Sequence, residues 1–231
     1  MTIFSIRNAF YASQAKRSLL AASLILSLGL ISEQSYAKDY PLDSSFYRDG
    51  KTAGGRYWVT GDSGDWYMSL GDKDRSAGGK IRVSGTKDVN GNPAKVFEWK
   101  KKGGDGYVAL ADYSTQSDLT PYKDAAALAV DVKVMKKPDA GFEFSMKGDK
   151  GANAAVYIQE SLKGMKQNKW YTLLVPLSCM VAKGADLSKS VHLMQLRTGG
   201  RAKLGVANVR LERIDDSMKN CKELVAFKLE K

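Results

Sequence analysis

A two-sheet antiparallel β-sandwich of the jelly-roll type is the fold this sequence predicts. Three observations carry it. Apolar residues alternate at period two from Tyr57 onward, glycine-containing breaks recur every 8 to 12 residues, and helical periodicity is almost absent. Many short strands in a chain of this length bury their apolar faces by stacking as two sheets around one core.

Residues 38–55 are polar, contain Gly50, Gly54 and Gly55, and read as a flexible lead-in to a sandwich spanning 56–214. Asp65–Leu70 sets Trp66, Met68 and Leu70 on one face, the expected core face. Lys80–Ser84 turns Ile81 and Val83 inward. Lys95–Lys101 opposes Phe97 and Trp99 to Val96, Glu98 and Lys100, and Gly106–Ala111 is a further short strand. Ala126–Val134 alternates Leu128, Val130, Val132 and Val134 with Ala129, Asp131 and Lys133. After the turn Pro138-Asp139-Ala140-Gly141 come Phe142, Phe144 and Met146. Ala154–Ile158, Lys169–Val175, His192–Arg197 and Lys203–Arg213 complete about ten expected strands.

Within Lys203–Arg213 the apolar phase set by Leu204 and Val206 shifts at Val209 and Leu211. One extra residue near Ala207-Asn208 predicts a β-bulge; the alternative is a strand buried on both faces. His192 alternates with Met194 and Leu196, so it is expected to face inward or lie at a strand edge. Glu160–Met165 and Asp186–Ser190 each suit one helical turn. The tail 215–231 is expected to pack on the sandwich, and its pattern fits a last strand as well as a short helix.

The N-terminus reads differently. Arg7, Lys16 and Arg17 precede an apolar run from Ser18 to Ile31, and the small residues Ser35 and Ala37 follow. A basic start, a short apolar core and small residues at −3 and −1 predict a signal peptide over 1–37 with cleavage after Ala37. The run is shorter than the ~20 apolar residues that cross a bilayer, and no later stretch qualifies. The mature chain would hold 194 residues at net charge +9 and reside in the periplasm or outside the cell. In such a compartment Cys179 and Cys221, 42 residues apart, are expected to form a disulfide; the alternative is two free thiols.

Composition excludes much chemistry. With one His and two Cys there is no HExxH zinc site, and no CxxC, Walker A loop or GxSxG elbow is present. Net charge is +11, spread over turns and strand edges such as Lys100–Lys102 and Lys136-Lys137, without a basic helix or an RNA-binding motif. Nucleic acid is therefore not an expected partner, whereas an anionic polysaccharide, lipopolysaccharide or membrane surface suits a diffuse positive field; the alternative is that the charge serves solubility only.

Four stretches carry a family resemblance: GDSGDWYMSLGD at 61–72, LTPYKDAAALAVDVKV at 119–134, WYTLLVPLSCMVAKGADLSKS at 170–190 and LRTGGRAKLGVANVRLER at 196–213. In order and spacing they resemble the C-terminal, galactose-binding-like domain of ExoP-type exo-glucanases of glycoside hydrolase family three. The resemblance implies a galactose-binding-like sandwich and carbohydrate as the ligand class. That family's catalytic barrel has no counterpart here, so the resemblance does not imply glucan hydrolysis.

Aromatic rings are the expected sugar contacts, because a pyranose presents a C–H face that stacks on Tyr or Trp while polar neighbours bond its hydroxyls. Trp66, Trp99 and Trp170 lie within alternating strands and are assigned to the core. The loop candidates are Tyr57, Trp58 and Asp62 from Arg56–Asp65, and Tyr113, Gln116 and Asp118 from Asp112–Tyr122. No cofactor is predicted: Asp62, Asp65, Asp72 and Asp74 cluster, as do Asp112 and Asp118, but at no EF-hand spacing, which favours solvated turn acids; the alternative is a structural Ca²⁺ on loop carboxylates and carbonyls. The expectation is a non-catalytic, exported carbohydrate-binding domain. The alternatives are an envelope interaction protein without a sugar ligand, and a jelly-roll polysaccharide lyase or hydrolase.

Overall fold

The computed structural model describes residues 44–150, 153–219, 221, 224 and 226–229. The expected signal peptide and its cleavage point lie outside the described residues. Fourteen strands run in chain order: β1 Ser45–Arg48, β2 Lys51–Thr52, β3 Tyr57–Asp62, β4 Asp65–Ser69, β5 Ile81–Lys87, β6 Pro93–Trp99, β7 Gly106–Ala111, β8 Ala126–Lys136, β9 Phe142–Gly148, β10 Ala154–Tyr157, β11 Trp170–Pro176, β12 Ser190–Thr198, β13 Ala202–Arg213 and β14 Ala226–Lys228. Helix α1 spans Gln159–Gly164 and α2 spans Leu177–Ala182.

The strands form two antiparallel sheets. The six-stranded sheet has the order β10-β9-β12-β7-β3-β4. In the eight-stranded sheet β14-β11-β8-β13 is continuous, and β13 then has two partners on its other side. Ala202–Val206 pairs with β6, and Val209 and Arg210 pair with β1. The expected bulge lies at this handover: the β13–β8 register shifts between Ala207 and Val209. An extra residue there bends the strand where its neighbour changes.

The inward residues of both sheets merge into one core. Leu128, Val130, Val132 and Val134 of β8 meet Phe142, Phe144 and Met146 of β9 and Leu193, Met194 and Leu196 of β12. A chain of rings runs through it. Tyr47 meets Trp58 edge-on at 5.2 Å, Trp58 lies 4.9 Å from Phe97, and Trp99 meets Phe142 edge-on at 5.2 Å. Edge-to-face pairs of this kind add to the burial of the ring area itself. The Trp99 indole N–H, deep in this core, donates to the Gly106 carbonyl.

Several expectations need correction. The segment 44–55 is not a loose lead-in: Phe46 and Tyr47 are buried, and β1 pairs with β13 and β2. Trp66 is 53% exposed, because β4 is the edge of its sheet and buries none of its residues. Trp170 is buried, but on the outer face of the eight-stranded sheet, against Ala94 and Ala207. A methyl group on Gly205 would come within 3.1 Å of its ring, so this glycine leaves the indole its seat. Lys133 Nζ sits 4.8 Å above the same ring. Asp186–Ser190 forms no helix, since Asp186 Oδ1 accepts from Ser188 N and fixes an Asx turn instead. The expected turn at Glu160–Met165 forms as α1, and an unexpected second helix, α2, begins directly after Pro176 inside an apolar run.

The tail resolves as a strand. β14 pairs with β11, and Cys221 is joined to Cys179, in α2, by a disulfide with Cα atoms 5.3 Å apart. In the chain-entropy model, closing a loop of this size contributes roughly 4 kcal/mol. Unreduced mature protein should therefore give the mass of a molecule two hydrogens lighter than the free dithiol. The Cys179→Ser/Cys221→Ser variant should unfold at clearly lower denaturant concentration; an unchanged midpoint would show that the bridge contributes nothing.

Candidate functional site

The outward face of the six-stranded sheet carries the site, and strand register arranges it in three rows. The first row runs Tyr57, Ala111, His192, Lys147. The second runs Val59, Ala109, Gln195, Ser145. The third runs Gly61, Tyr107, Arg197, Glu143, Tyr157. Small residues thus form a floor between two rows that carry rings and charges. Val59, Ala109 and Ala111 make a separate apolar cluster with Tyr107, against which Tyr57 packs.

Two more rings close over this floor. Tyr67 comes from β4, and Tyr113 from the turn after β7; they are 42% and 38% exposed and meet edge-on at 5.6 Å. The Tyr57 and Tyr67 hydroxyls are 2.6 Å apart. The Tyr107 hydroxyl donates to the Trp66 carbonyl. Its ring lies so flat on β3 that a Cβ at Gly61 would collide with Tyr107 Cε1. Gly61 is therefore part of the site, through the close approach it permits.

His192 is the polar centre. It is 3% exposed, with Nε2 at 3.2 Å from the Tyr113 hydroxyl and Nδ1 at 3.2 Å from Gln195 Oε1. Burial drives its pKa down to about 4, opposed by the Gln195 hydrogen bond and assisted by Lys147. The ring is neutral at pH 7. With Gln195 Oε1 facing Nδ1, Nδ1 carries the proton and Nε2 accepts from Tyr113. Tyr67, Tyr107 and Tyr113 stay protonated as well. Burial raises Tyr107 to about 12, with Tyr113 and Asp65 adding to it, and burial with the Tyr57 hydroxyl beside it raises Tyr67. Burial also raises Tyr113. The centre of the face therefore offers neutral donors and acceptors, with the charges of Lys147, Arg197 and Glu143 in the flanking rows. Ser145 Oγ and Gln195 Nε2 make no hydrogen bond among the described residues.

The loop that carries Tyr113 is fastened beneath. Asp112 Oδ2 accepts from Ser117 N and Oγ, and Arg56 Nε stands 3.2 Å from it. Arg56 also donates to Ser117 Oγ and lies 4.9 Å over the Phe46 ring. A buried carboxylate held by this many donors orders its loop, and removing one partner leaves an uncompensated charge.

Of the six residues nominated from sequence, this face unites two, Tyr57 and Tyr113, each touching Tyr67. Burial overturns Trp58 and Asp62, while Gln116 and Asp118 remain at the surface of their loop, outside the ring cluster. Arg56–Asp65 is mostly strand rather than loop, so Trp58 points to the opposite side from Tyr57 and is buried in the core. Asp62 is fully buried. Burial alone would raise its carboxyl, but the Ser76 hydroxyl and the Gly64, Gly78 and Lys80 amides bring its pKa down to about 2. It ties the end of β3 to the turn before β5. Gln116 holds a left-handed turn at φ 48°, and Asp118 Oδ1 caps the turn at Thr120. Among the described residues no three His, Cys, Asp or Glu side chains are placed to hold a metal ion.

Tyr67, Tyr107, His192 and Gln195 were not nominated from sequence. Alternation with Met194 and Leu196 places His192 inward or at a strand edge. The register shifts between His192 and Met194, so Leu193 and Met194 both enter the core and His192 and Gln195 both turn outward. The adjacent apolar pair Leu193-Met194 between two polar residues is the signal for this second bulge.

Two outcomes follow from this geometry. Trp58→Ala should cost roughly 3–5 kcal/mol of stability as a large-to-small core change. The His192 effect depends on pH. An unfolded His titrates near pH 6.5, and the folded ring near 4, so between these values only the unfolded chain takes up the proton. Stability is lost as pH falls through this window and is level above it. The stability difference between wild type and His192→Gln should thus shrink by up to about 3 kcal/mol from pH 7 to pH 4. Denaturant titrations at intervals of one pH unit measure it, and a constant difference would refute the burial of a neutral ring.

Known proteins share this architecture. Residues 62–211 match the Exop_C family model, described as galactose-binding domain-like. The extra C-terminal domain X of exo-1,3/1,4-β-glucanase (ExoP) from a Pseudoalteromonas species superposes with a TM-score of 0.57 at 15% identity, over 74% of this chain and 94% of that domain. Against the longer ExoP structure the match covers 20% of that chain, with a TM-score of 0.58. A family 30 carbohydrate-binding module of a cellulosomal cellulase of Clostridium thermocellum gives a TM-score of 0.54 at 15% identity, over 74% of this chain and 98% of the module. No curated protein matches. At these identities the solved structures share the fold, and the family match extends over most of the sandwich: the chain belongs to the Exop_C family of galactose-binding-like domains.

Proposed function

We propose that this chain is an exported, non-catalytic domain that binds a polysaccharide along the tyrosine-walled face of its six-stranded sheet. The observation that carries this reading is the combination on one face of partly exposed rings, Tyr67 and Tyr113, with polar groups that have no protein partner among the described residues, Ser145 Oγ and Gln195 Nε2. Rings supply stacking surface for pyranose C–H faces, and the floor supplies hydrogen bonds to hydroxyls. Likeness in fold to a module named as carbohydrate-binding supports the ligand class. Export rests on the signal-peptide pattern at 1–37, and agrees with the Cys179–Cys221 bridge.

One observation favours a second reading, a polysaccharide lyase: the chain Tyr113–His192–Gln195 resembles a constellation that such enzymes place on a concave sheet. Against it, a lyase needs a base that accepts a proton near neutral pH. Burial raises Tyr107 and Tyr113, and the His192 ring is already engaged on both nitrogens. Incubation with uronate polysaccharides should accordingly yield no ultraviolet absorbance from an unsaturated product.

The binding test uses soluble neutral and acidic glycans and two single-ring variants. Tyr67→Ala and Tyr113→Ala should each weaken binding of the recognised glycan about ten-fold, the loss of one stacking contact, with melting temperatures close to wild type. Wild-type binding in both variants would remove the face from consideration, and failure of every glycan to bind wild type would favour an interaction protein without a sugar ligand.

A further inference from the structure

The positive charge of this chain is not wholly diffuse. Arg75, Arg82, Lys100 and Lys102 converge on one cavity of about 350 Å³, otherwise lined by Gly79 and Ile81. Three backbone segments bring them together at the free edge of the eight-stranded sheet. β5, which carries Arg82, pairs with β6 on one side. On the other it meets Arg75 through a single antiparallel bridge, with Val83 N donating to Asp74 O and Ser76 N to Ile81 O. Lys100 follows β6 and is held by Lys100 N donating to Lys80 O. Lys102 is turned toward Gly79 by its own amide bond to Lys100 O, and its Nζ lies 3.5 Å from where a Cβ on Gly79 would sit.

Four cations therefore share a cavity whose lining contains no carboxylate. Asp74 stands beside two of them: its Oδ1 is 3.0 Å from Arg75 Nε, and its carboxyl is held below the usual range first by that hydrogen bond, with the charge of Arg82 contributing as well. Arg82, Lys100 and Lys102 have no ion pair among the described residues. One carboxylate beside four cations leaves an excess of positive charge, and an anion placed among them turns the residual repulsion into attraction. Two guanidinium groups add a planar fork geometry that matches tetrahedral oxyanions, and the lysines add point charge.

We infer that this cavity is a second binding site that takes a tetrahedral oxyanion, a sulfate or phosphate ester group. It is built from residues of the eight-stranded sheet's edge and its flanking turns, whereas the tyrosine face belongs to the other sheet. That the ester is carried on a glycan rests on the function proposed above; the recognition of the oxyanion does not.

The test pairs a soluble β-glucan with its sulfated derivative, and adds inorganic sulfate and inorganic phosphate as free-anion probes. Three proteins are compared: wild type, Arg82→Gln/Lys102→Gln, and Lys166→Gln/Lys169→Gln. The last removes the same charge from exposed residues that do not line the cavity. Wild type and the charge-matched control should bind the sulfated glucan about ten-fold more tightly than the neutral one, and the cavity variant should lose most of that advantage. Saturable amide chemical-shift changes at Arg75, Gly79 and Arg82 on addition of the inorganic ions, absent in the cavity variant, would identify the free anion as sufficient. Shifts only with the sulfated glucan would assign the site to the ester on its carrier. Equal losses in the cavity and control variants, or no preference in wild type, would overturn the inference and leave a diffuse field. Neutral-glucan binding should be the same in all three proteins. If it is absent in wild type while the sulfate response persists, the tyrosine-face reading fails and the oxyanion site stands.

Discussion

The phase of β12 between β9 and β7 is the constraint on which the candidate site depends. A strand that alternated strictly through Ser190–Thr198 would carry His192, Met194 and Leu196 on one side. Either an imidazole would enter the core, or two large apolar residues would leave it. One irregularity, at Leu193-Met194, sends both apolar residues inward and releases His192 and Gln195 to the outside. Loss of that bulge by one residue would reverse every side chain beyond it. The core of the sandwich and the chemistry of its outer face are thus settled by the same local break in register.

The flatness of that outer face has an equally simple origin. Ala109, Ala111 and Val59 are small, so neighbouring rings can lie down across the sheet rather than stand away from it. Gly61 takes this furthest, letting Tyr107 rest directly on backbone. The tyrosines brace one another through hydroxyl and edge-to-face contacts, and Asp112 with Arg56 secures the segment from which Tyr113 projects. These contacts tie the rings to the sheet beneath them. That bracing limits the conformational entropy lost when a ligand is held.

Much of the sandwich was legible in residue order. Period-two alternation located the long strands, the phase shift at Ala207-Asn208 located the bulge in β13, and the lone Cys pair anticipated its own bridge. What escaped did so for physical reasons. The sequence reads Arg56–Asp65 as a loop that exposes both Tyr57 and Trp58; as a strand it puts them on opposite faces, and only Tyr57 stays outside the core. Alternation cannot show that β4 lies at a sheet edge, where Trp66 is left exposed. β1 is four residues long and surrounded by polar sequence, so its two buried aromatic residues carried no period. The site itself spans five strands and a turn, and residues so far apart in sequence meet only through register.

The position of β14 has a further meaning. It lies outermost beside β11 and is fastened through Cys221 to α2, the element that directly follows β11. Without β14, the β11 backbone would present unpaired amide and carbonyl groups along an apolar strand, the kind of open edge on which a second chain can add. The disulfide thus guards the solubility of the folded domain as well as its stability. Under reducing conditions the first failure would be self-association through this edge, while the tyrosine face at the other sheet stayed intact.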